Sequence, residues 1–428
     1  MMLEAHSPAD TLSAWLDDLE SRHAQPIQLG LERVRACALQ LGVASKSAAV
    51  IITVAGTNGK GSTVAALEAI YCSAGFRVAS YTSPHLLVFN ERIRIHQMLV
   101  SDEVICAAFR TLQACPLSQA LTYFERVTLA ALLIFKAHAL DVILLEVGMG
   151  GRLDATNFMD ADLSIITTVD FDHQQWLGDT RDAIGYEKAG ILRANKPAIY
   201  ADLHCPDSVI TYARENDVPL ICLGKDYFIH VTANDTFELQ GPLKENLFSL
   251  TRPRLNLKAA AAALVATQQL QHVLPVEPLH YVHAMQKVFI QGRQQCLGGR
   301  IKTVLDVAHN PQAVALLANF ILEQAPSGCV HAVFSGLKDK DLCGLIEPMK
   351  QVVDVWYPTL LKGARASSEQ LLRAAFSSTK TVFTHCFHDP VAAFQAAMGV
   401  AQPGDWVVVY GSFLTVGAVI EADLILEE

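Results

Sequence analysis

The sequence holds ten cysteines but no Cys-x-x-Cys pair. Neither a zinc site nor a disulfide framework is therefore indicated, and the thiols read as small apolar core residues in a reducing compartment. Basic residues are not in surplus: 33 Lys and Arg face 43 Asp and Glu, a formal charge of −10. That argues against a general nucleic-acid binder, which carries a basic footprint. It leaves room for anionic small molecules, which local charges and backbone amides can hold. No apolar run approaches the ~20 residues of a membrane span. The N-terminus, with Glu4, Asp10, Asp17 and Asp18, lacks the apolar core of a signal peptide. No repeat or low-complexity tract is present. The chain is expected to work in the cytoplasm as a monomer, with small-molecule substrates and no nucleic-acid or membrane partner.

What is there is a core-rich chain of 428 residues, 51% hydrophobic and only 18% charged, against the usual ~25% charged. Its length predicts two domains. Ser7-Pro8-Ala9-Asp10 reads as a helix start, followed by the apolar stripe Leu12, Trp15, Leu16 and Leu19. From Val50 onward, buried-type strands (50–54, 78–81, 142–147, 165–169, 198–200) alternate with helical segments (63–72, 126–139, 182–192). This alternation predicts an α/β fold with a mostly parallel sheet covered on both faces. The stretch 220–250 predicts antiparallel hairpins (227–232, 236–240, 247–250), and helices follow near 256–271 and 278–289. Glycines in 291–299 suggest a linker between a first domain, 1–290, and a smaller Rossmann-like α/β domain, 300–428. Strands of the latter are expected at 303–307, 330–334, 353–357, 382–385 and 406–410.

The most informative run is Val50–Thr63, where a β-branched strand meets Gly56-Thr57-Asn58-Gly59-Lys60-Gly61-Ser62 and then a helix. Successive backbone N–H groups and a helix N-terminus aimed at one point suit a polyphosphate, and Lys60 adds a positive charge. The spelling departs from the strict phosphate-loop pattern. Val54 stands where its first glycine would be, and Gly61 separates Lys60 from Ser62. Further polar groups sit at strand ends, where open α/β sheets collect ligands: Ser83-Pro84-His85, Glu146 before a glycine-rich turn to Asn157, Asp170-Phe171-Asp172-His173, and Asp306-Val307-Ala308-His309. A carboxylate buried at a strand end needs a cation, so Glu146 wants either a metal ion or Arg152. Glu146, His173 and a serine hydroxyl could together hold a divalent ion. Glu187 and Lys188 are adjacent on a helix and do not face each other, so mutual pairing is not their purpose; a solvated face is the default. Arg293 could grip phosphate oxygens bidentately.

Taken in order, Gly56–Thr63, Ser83–Ile95, Gly148–Asn157, Asp172–Thr180 with Glu187–Ile191, Asp306–Pro311 and Gly411–Val416 resemble the dihydrofolate synthase/folylpolyglutamate synthase family, relatives of the Mur peptidoglycan ligases. The resemblance implies that ATP phosphorylates a substrate carboxylate and that L-glutamate attacks the acyl phosphate, with dihydropteroate and reduced folates as acceptors. It implies two Mg2+ sites, with Ser83, Glu146 and His173 as metal ligands and Lys188 as a lysine carbamylated by CO2 that holds metal as well. Lys60, His173 and Lys188 are the implied catalytic groups. Asn256, Arg293 and Asp306 join the phosphate loop around ATP. Leu29 and Gly30, Thr122-Tyr123-Phe124-Glu125, and Leu153-Asp154-Ala155 border the pterin and benzoate, and His309 is a further substrate contact. Gln294 departs from the apolar or aromatic residue that often follows the family's linker arginine. A Mur ligase is the nearest rival, but too little chain precedes the loop for a nucleotide-sugar domain. A GTPase switch is disfavoured, because Asn195-Lys196 continues as Pro197-Ala198 instead of the guanine-reading pattern. Whether both folate activities are present is left open.

Overall fold

The computed structural model describes residues 11–21, 28–44, 48–232, 235–241 and 247–422. The expected helix start at Ser7–Asp10 lies outside these residues. The chain divides into two compact units, residues 1–85 with 89–289, and residues 86–88 with 290–428.

In the first unit the strands are β1 (Val50–Ala55), β2 (Val78–Tyr81), β3 (Ile93–Ile95), β4 (Met98–Leu99), β5 (Val142–Glu146), β6 (Leu163–Ile166), β7 (Ala198–Tyr200) and β8 (Leu220–Cys222). They form one sheet in the order β4-β3-β2-β5-β1-β6-β7-β8. Pairing is parallel from β2 to β8, and β3 and β4 add an antiparallel edge. Alternate residues of the central strands feed two cores. Ile52, Val54, Val142 and Leu144 face one, and Ile51, Ile143 and Leu145 face the other. Burial on both faces is why these strands read as continuous apolar runs.

The helices of this unit are α1 (Leu12–Ser21), α2 (Glu32–Gln40), α3 (Lys60–Ser73), α4 (Asp102–Gln113), α5 (Tyr123–Lys136), α6 (Gln174–Leu177), α7 (Arg181–Ala189), α8 (Asp207–Glu215), α9 (Leu257–Gln269) and α10 (Pro278–Lys287). α3, α9 and α10 contribute to the first core, and α1, α2, α4 and α5 to the second. Ala259–Ala263 of α9 are all buried, and their small side chains let α9 lie close against α3. A separate antiparallel sheet carries the expected hairpins, β9 (Phe228–Val231), β10 (Thr236–Gln240) and β11 (Leu247–Thr251). β6 ends three residues earlier than the sequence suggested, because Thr167–Val169 leave the sheet to meet the turn after β1.

The second unit holds β12 (Gln295–Leu297), β13 (Lys302–Asp306), β14 (Val330–Phe334), β15 (Val355–Pro358) and β16 (Trp406–Tyr410). Their order is β12-β13-β16-β14-β15, parallel except for the edge strand β12. Two expectations are corrected here. The glycine-studded 291–299 stretch is not only a connection, because Gln295–Leu297 pair with Thr303–Leu305. Residues 382–385 form no strand: Val382 is 86% exposed. The nearest pairing is a single bridge between Thr359 and Phe387. β-Branched residues there supply propensity but have no neighbouring strand to pack against.

Candidate active site

Four adjacent parallel strands, β2, β5, β1 and β6, deliver their C-terminal ends to one edge of the sheet. Ser83 follows β2, Glu146 closes β5, the glycine turn follows β1, and Thr167 to His173 follow β6. The order of strands in space thus gathers residues that lie far apart in sequence.

The turn after β1 is shaped by its glycines. Gly56 and Gly59 have φ of 149° and 86°, in the region that only glycine enters easily. A Cβ on Gly56 would collide with Thr167 Oγ1. Side chains from the β6 loop strap the turn down. Thr167 Oγ1 donates to Asn58 O at 2.6 Å, Asn58 N donates to Thr168 Oγ1 at 2.9 Å, and Thr57 Oγ1 donates to Asp170 O at 3.0 Å. Lys60 opens α3 and donates to Gly56 O at 3.0 Å and Thr57 O at 3.2 Å. Its charge is therefore fixed over the loop, beside a helix N-terminus that already favours anions.

Glu146 is buried, 4% exposed. Its Oε2 accepts the Ser83 N–H at 3.2 Å and would stand 3.6 Å from a Cβ on Gly61. The carboxylate thus touches both the Ser83 loop and the start of α3. Arg152 pairs elsewhere, donating to Glu187 Oε1 at 2.8 Å, so the bland partner for Glu146 is set aside. The glycine-rich segment after β5 docks on the end of α7. Arg152 N donates to Glu187 O at 2.7 Å, and a Cβ on Gly151 would stand 2.8 Å from Glu187 O and 3.0 Å from Lys188 O.

That docking buries Lys188, 3% exposed. Burial first, and the Lys60 charge second, push its ammonium down from 10.5 to about 7, against the pull of Asp172 and Asp154. The solvated face expected for this helix segment is therefore corrected at Lys188. Asp172 also lies by His173, with Oδ2 3.9 Å from His173 Nε2. His173 caps α6 with φ of 53° and is about one-third exposed. Among the described residues, no three His, Cys, Asp or Glu side chains converge on a metal-sized site. The hard oxygen donors Glu146 and Ser83 beside a phosphate loop nonetheless fit Mg2+, which keeps waters and phosphate oxygens in its shell.

A second set of contacts continues from this edge. The Phe124 ring packs against Gly148, where a Cβ would come within 2.6 Å of Cζ. Thr122 and Glu125 form a reciprocal capping box at the start of α5. Glu125 Oε1 also accepts from Arg33 Nη2 at 3.0 Å, and the same nitrogen donates to Gln28 O at 2.8 Å. This ties the Leu29–Gly30 turn to the Thr122–Glu125 segment. Asp154 accepts from Gly148 N, Met149 N, Thr156 N and Thr156 Oγ1. Burial raises its carboxyl above the ordinary range, against those hydrogen bonds. Leu153 is half-buried and Ala155 buried. Three segments that sequence alone could only name one by one are physically linked.

In the second unit Asp306, at the end of β13, accepts from Gln294 N at 3.0 Å and Ala308 N at 2.8 Å. Burial raises its carboxyl, and the Arg293 charge opposes that rise. The Arg293 guanidinium lies 4.9 Å from the Phe413 ring centroid, and His309 stands 5.8 Å from the same ring. Arg293, Asp306 and His309 are thus gathered. The unusual Gln294 has φ of 44°, which turns its N–H toward Asp306. Asn256 is less integrated: its side chain caps α9 through Ala259 N at 3.3 Å. No hydrogen bond among the described residues ties it to the glycine turn.

Residues 54–241 match the Mur ligase middle domain, and residues 292–413 match the Mur ligase glutamate ligase domain. The dihydrofolate synthase/folylpolyglutamate synthase of Escherichia coli strain K12 is 39% identical over 414 residues, 96% of each chain. The chain belongs to the dihydrofolate synthase/folylpolyglutamate synthase family. Its Haemophilus influenzae relative is 36% identical and covers 98% of this chain and 99% of its own. The structure of E. coli FolC in complex with DHPP and ADP superposes with a TM-score of 0.92 at 37% identity, covering 99% of both chains. A bifunctional folylpolyglutamate synthase/dihydrofolate synthase with Mn, AMPPNP and L-glutamate bound gives 0.88 at 39% identity, again over 99% of both.

Within this family frame, several residues of the site escaped sequence reasoning. Thr167 and Thr168, the straps of the phosphate loop, look like ordinary strand-end threonines. Asp172 and Phe413 lie inside motifs named from sequence, yet only the pull of the Asp172 charge on Lys188 and the Arg293–Phe413 stacking single them out. His85 is named from sequence with the Ser83 loop, but its partner is not. Its Nδ1 accepts from Arg92 Nε at 2.9 Å, and burial, then the Arg92 charge, lower it to about 4.

Proposed function

We propose that this chain is an ATP-dependent ligase that adds L-glutamate to dihydropteroate, giving dihydrofolate, and to reduced folates, giving polyglutamates. The observation that carries the reading is the meeting of the phosphate loop, Ser83, Glu146 and Lys188 at the C-terminal edge of four neighbouring strands. The family's two activities supply the substrate class. A carboxylate is a poor acyl donor because its oxygen leaves badly. Transfer of the γ-phosphoryl group of ATP to a carboxylate oxygen gives an acyl phosphate and ADP. The glutamate amine then attacks the carbonyl, the C–O bond to phosphate breaks, and the amine proton is lost.

Such phosphoryl transfer needs mainly positioning and neutralised charge. Gly59, Gly61 and Ser62 offer backbone N–H groups to the phosphates, Gly56, Thr57 and Asn58 shape the turn beneath them, with the Thr57 and Asn58 N–H groups held by Thr168, and Lys60 adds the charge. Ser83, Glu146 and His173 would hold a divalent ion and a carbamylated Lys188 would hold another; such ions would offset charge building on the phosphoryl oxygens. Lys188, lowered to about 7, is substantially uncharged near neutrality, and the free amine is the form that adds to CO2. The product is a carbamate and a proton, and the anion would replace like-charge repulsion from Lys60 with attraction. On the folate side, Leu29, Gly30, Tyr123, Phe124, Leu153 and Ala155 line the acceptor, while Thr122, Glu125 and Asp154 hold those segments in place. Phe124 suits stacking on an aromatic ring. Asn256, Arg293 and Asp306 serve ATP, and His309 the substrate.

The test is a paired assay with dihydropteroate and with tetrahydrofolate as acceptors of glutamate. Amide product, ADP and phosphate in equal amounts from both support the reading. Product from one acceptor alone reduces it to a single activity, and MgATP hydrolysis without amide from either overturns it. Cytoplasmic residence follows from the need for ATP, and the proposed monomer is checked by light scattering.

A further inference from the structure

A buried polar cluster outside the site links the same two elements that frame Glu146. Glu68 lies on the third turn of α3 and is 4% exposed. Its Oε1 accepts from Ser80 Oγ at 2.9 Å and its Oε2 from Arg94 Nη2 at 2.9 Å. Arg94 Nε closes the ring by donating to Ser80 Oγ at 3.3 Å. Ser80 and Arg94 are direct register partners on β2 and β3. Arg94 keeps 22% of its side chain exposed and the Cys72 thiol lies near the pair; otherwise the surroundings are apolar, with Leu67, Tyr71 and Val78 on one side of β2 and Ala79 and Tyr81 on the other.

Apolar packing is non-directional, so it defines the angle and register of α3 against β2 less sharply than a polar contact does. A hydrogen-bonded ion pair resists sliding and rotation, because each bond has a narrow range of length and angle. The two elements meet again at the site. α3 begins at Lys60 and brings Gly61 beside Glu146, while β2 leads to Ser83, whose N–H bonds Glu146. A shift of α3 against β2 therefore changes where the phosphate loop stands relative to Ser83 and Glu146. Buried ion pairs are as a rule no more stabilising than well-packed apolar residues of similar volume, so stability alone does not account for this one.

We propose that Glu68, Ser80 and Arg94 are positioning residues that fix the register between the phosphate-binding helix and the Ser83 loop, and so set affinity for the metal–nucleotide complex. The proposal rests on the reading of that edge as a MgATP site. It is tested with full-length Glu68→Leu/Ser80→Ala/Arg94→Met, which removes all three polar groups together and leaves none unpaired. The expected result is a melting temperature close to that of the parent, with KM for MgATP raised about tenfold. The Mg2+ concentration for half-maximal rate should rise in parallel, while kcat at saturation and KM for dihydropteroate stay within about twofold. An unchanged MgATP KM in the folded triple variant overturns the proposal. If that variant does not fold, Ser80→Ala, which removes one donor, is measured by MgADP calorimetry; two- to threefold weaker binding supports the proposal and equal binding overturns it. MgADP binding by the parent and its loss in Lys60→Ala test the underlying site reading separately, so failure of the site and failure of the positioning network give different patterns.

Discussion

The proposed phosphate side and the proposed pterin side of the first unit use their polar side chains in different ways. On the proposed phosphate side the ligand-facing groups would be backbone N–H groups, a lysine and a carboxylate, and the neighbouring Thr167 and Thr168 side chains hold the backbone of the turn. On the pterin side, the polar residues that stand out by type are already occupied. Thr122 and Glu125 cap α5, Glu125 also holds Arg33, and Asp154 accepts four hydrogen bonds from its own loop. In the proposed site, that leaves the apolar and aromatic groups, Phe124 above all, to face the acceptor. On that reading, charge and geometry are concentrated where phosphoryl transfer needs them, and the acceptor is left to shape and stacking. Polar residues near a site are therefore of two kinds, and only their partners tell them apart.

This contrast can be broken by substitution. Lys188→Ala is expected to lower ligation on the order of 10³-fold, with partial rescue by small carboxylates such as acetate; near-parental activity would remove the carbamate from the account. Lys60→Ala is expected to cost about 10²-fold in kcat and to leave KM for dihydropteroate unchanged, read by steady-state kinetics. A change confined to the pterin KM would erase the division between the two sides.

Acid–base behaviour sharpens the phosphate side. The folded-state value of Lys188, about 7, lies below its ordinary 10.5, so the unfolded chain binds more protons between these values. Stability from this group is therefore lowest and constant below about pH 7, and rises as pH climbs toward 10.5, by a few kcal/mol on the order of the shift. Denaturant melts of the parent and Lys188→Met in CO2-free buffer should diverge over that window, the parent gaining. Parallel curves would show that Lys188 is not held neutral by burial. The smallest effect is expected on the pterin side. Glu125→Gln should lose about 1–3 kcal/mol of stability while the saturated rate stays unchanged. A stable Glu125→Gln protein with a much weaker pterin KM would make Glu125 a direct contact and collapse the contrast.

The phosphate side was the more legible from sequence for a physical reason. A loop that binds through its backbone needs glycine at fixed places, and Gly56 and Gly59 take up the φ values that no other residue enters easily. Strand ends were equally readable, since Glu146 after four apolar residues is an anomaly in any buried strand. Partners across the fold were not readable. Nothing local says that Arg152 turns to Glu187 and not to Glu146, or that Thr167 reaches Asn58. Fold class and most strands followed from apolar runs buried on both faces. The strand expected at 382–385 fails because propensity without a neighbouring strand does not make a sheet. The edge strand β12 was masked by glycines on either side, Gly292 and Gly298-Gly299, which read as a flexible connection.

The central claim is that this edge of the sheet activates a carboxylate by phosphorylating it. Dihydropteroate labelled with 18O in both carboxylate oxygens tests it most directly, with MgATP and L-glutamate and mass analysis of the released phosphate. The account predicts that phosphate carries one 18O for each amide formed, because the C–O bond to the transferred phosphoryl group is the one that breaks. Amide formation with unlabelled phosphate would contradict it.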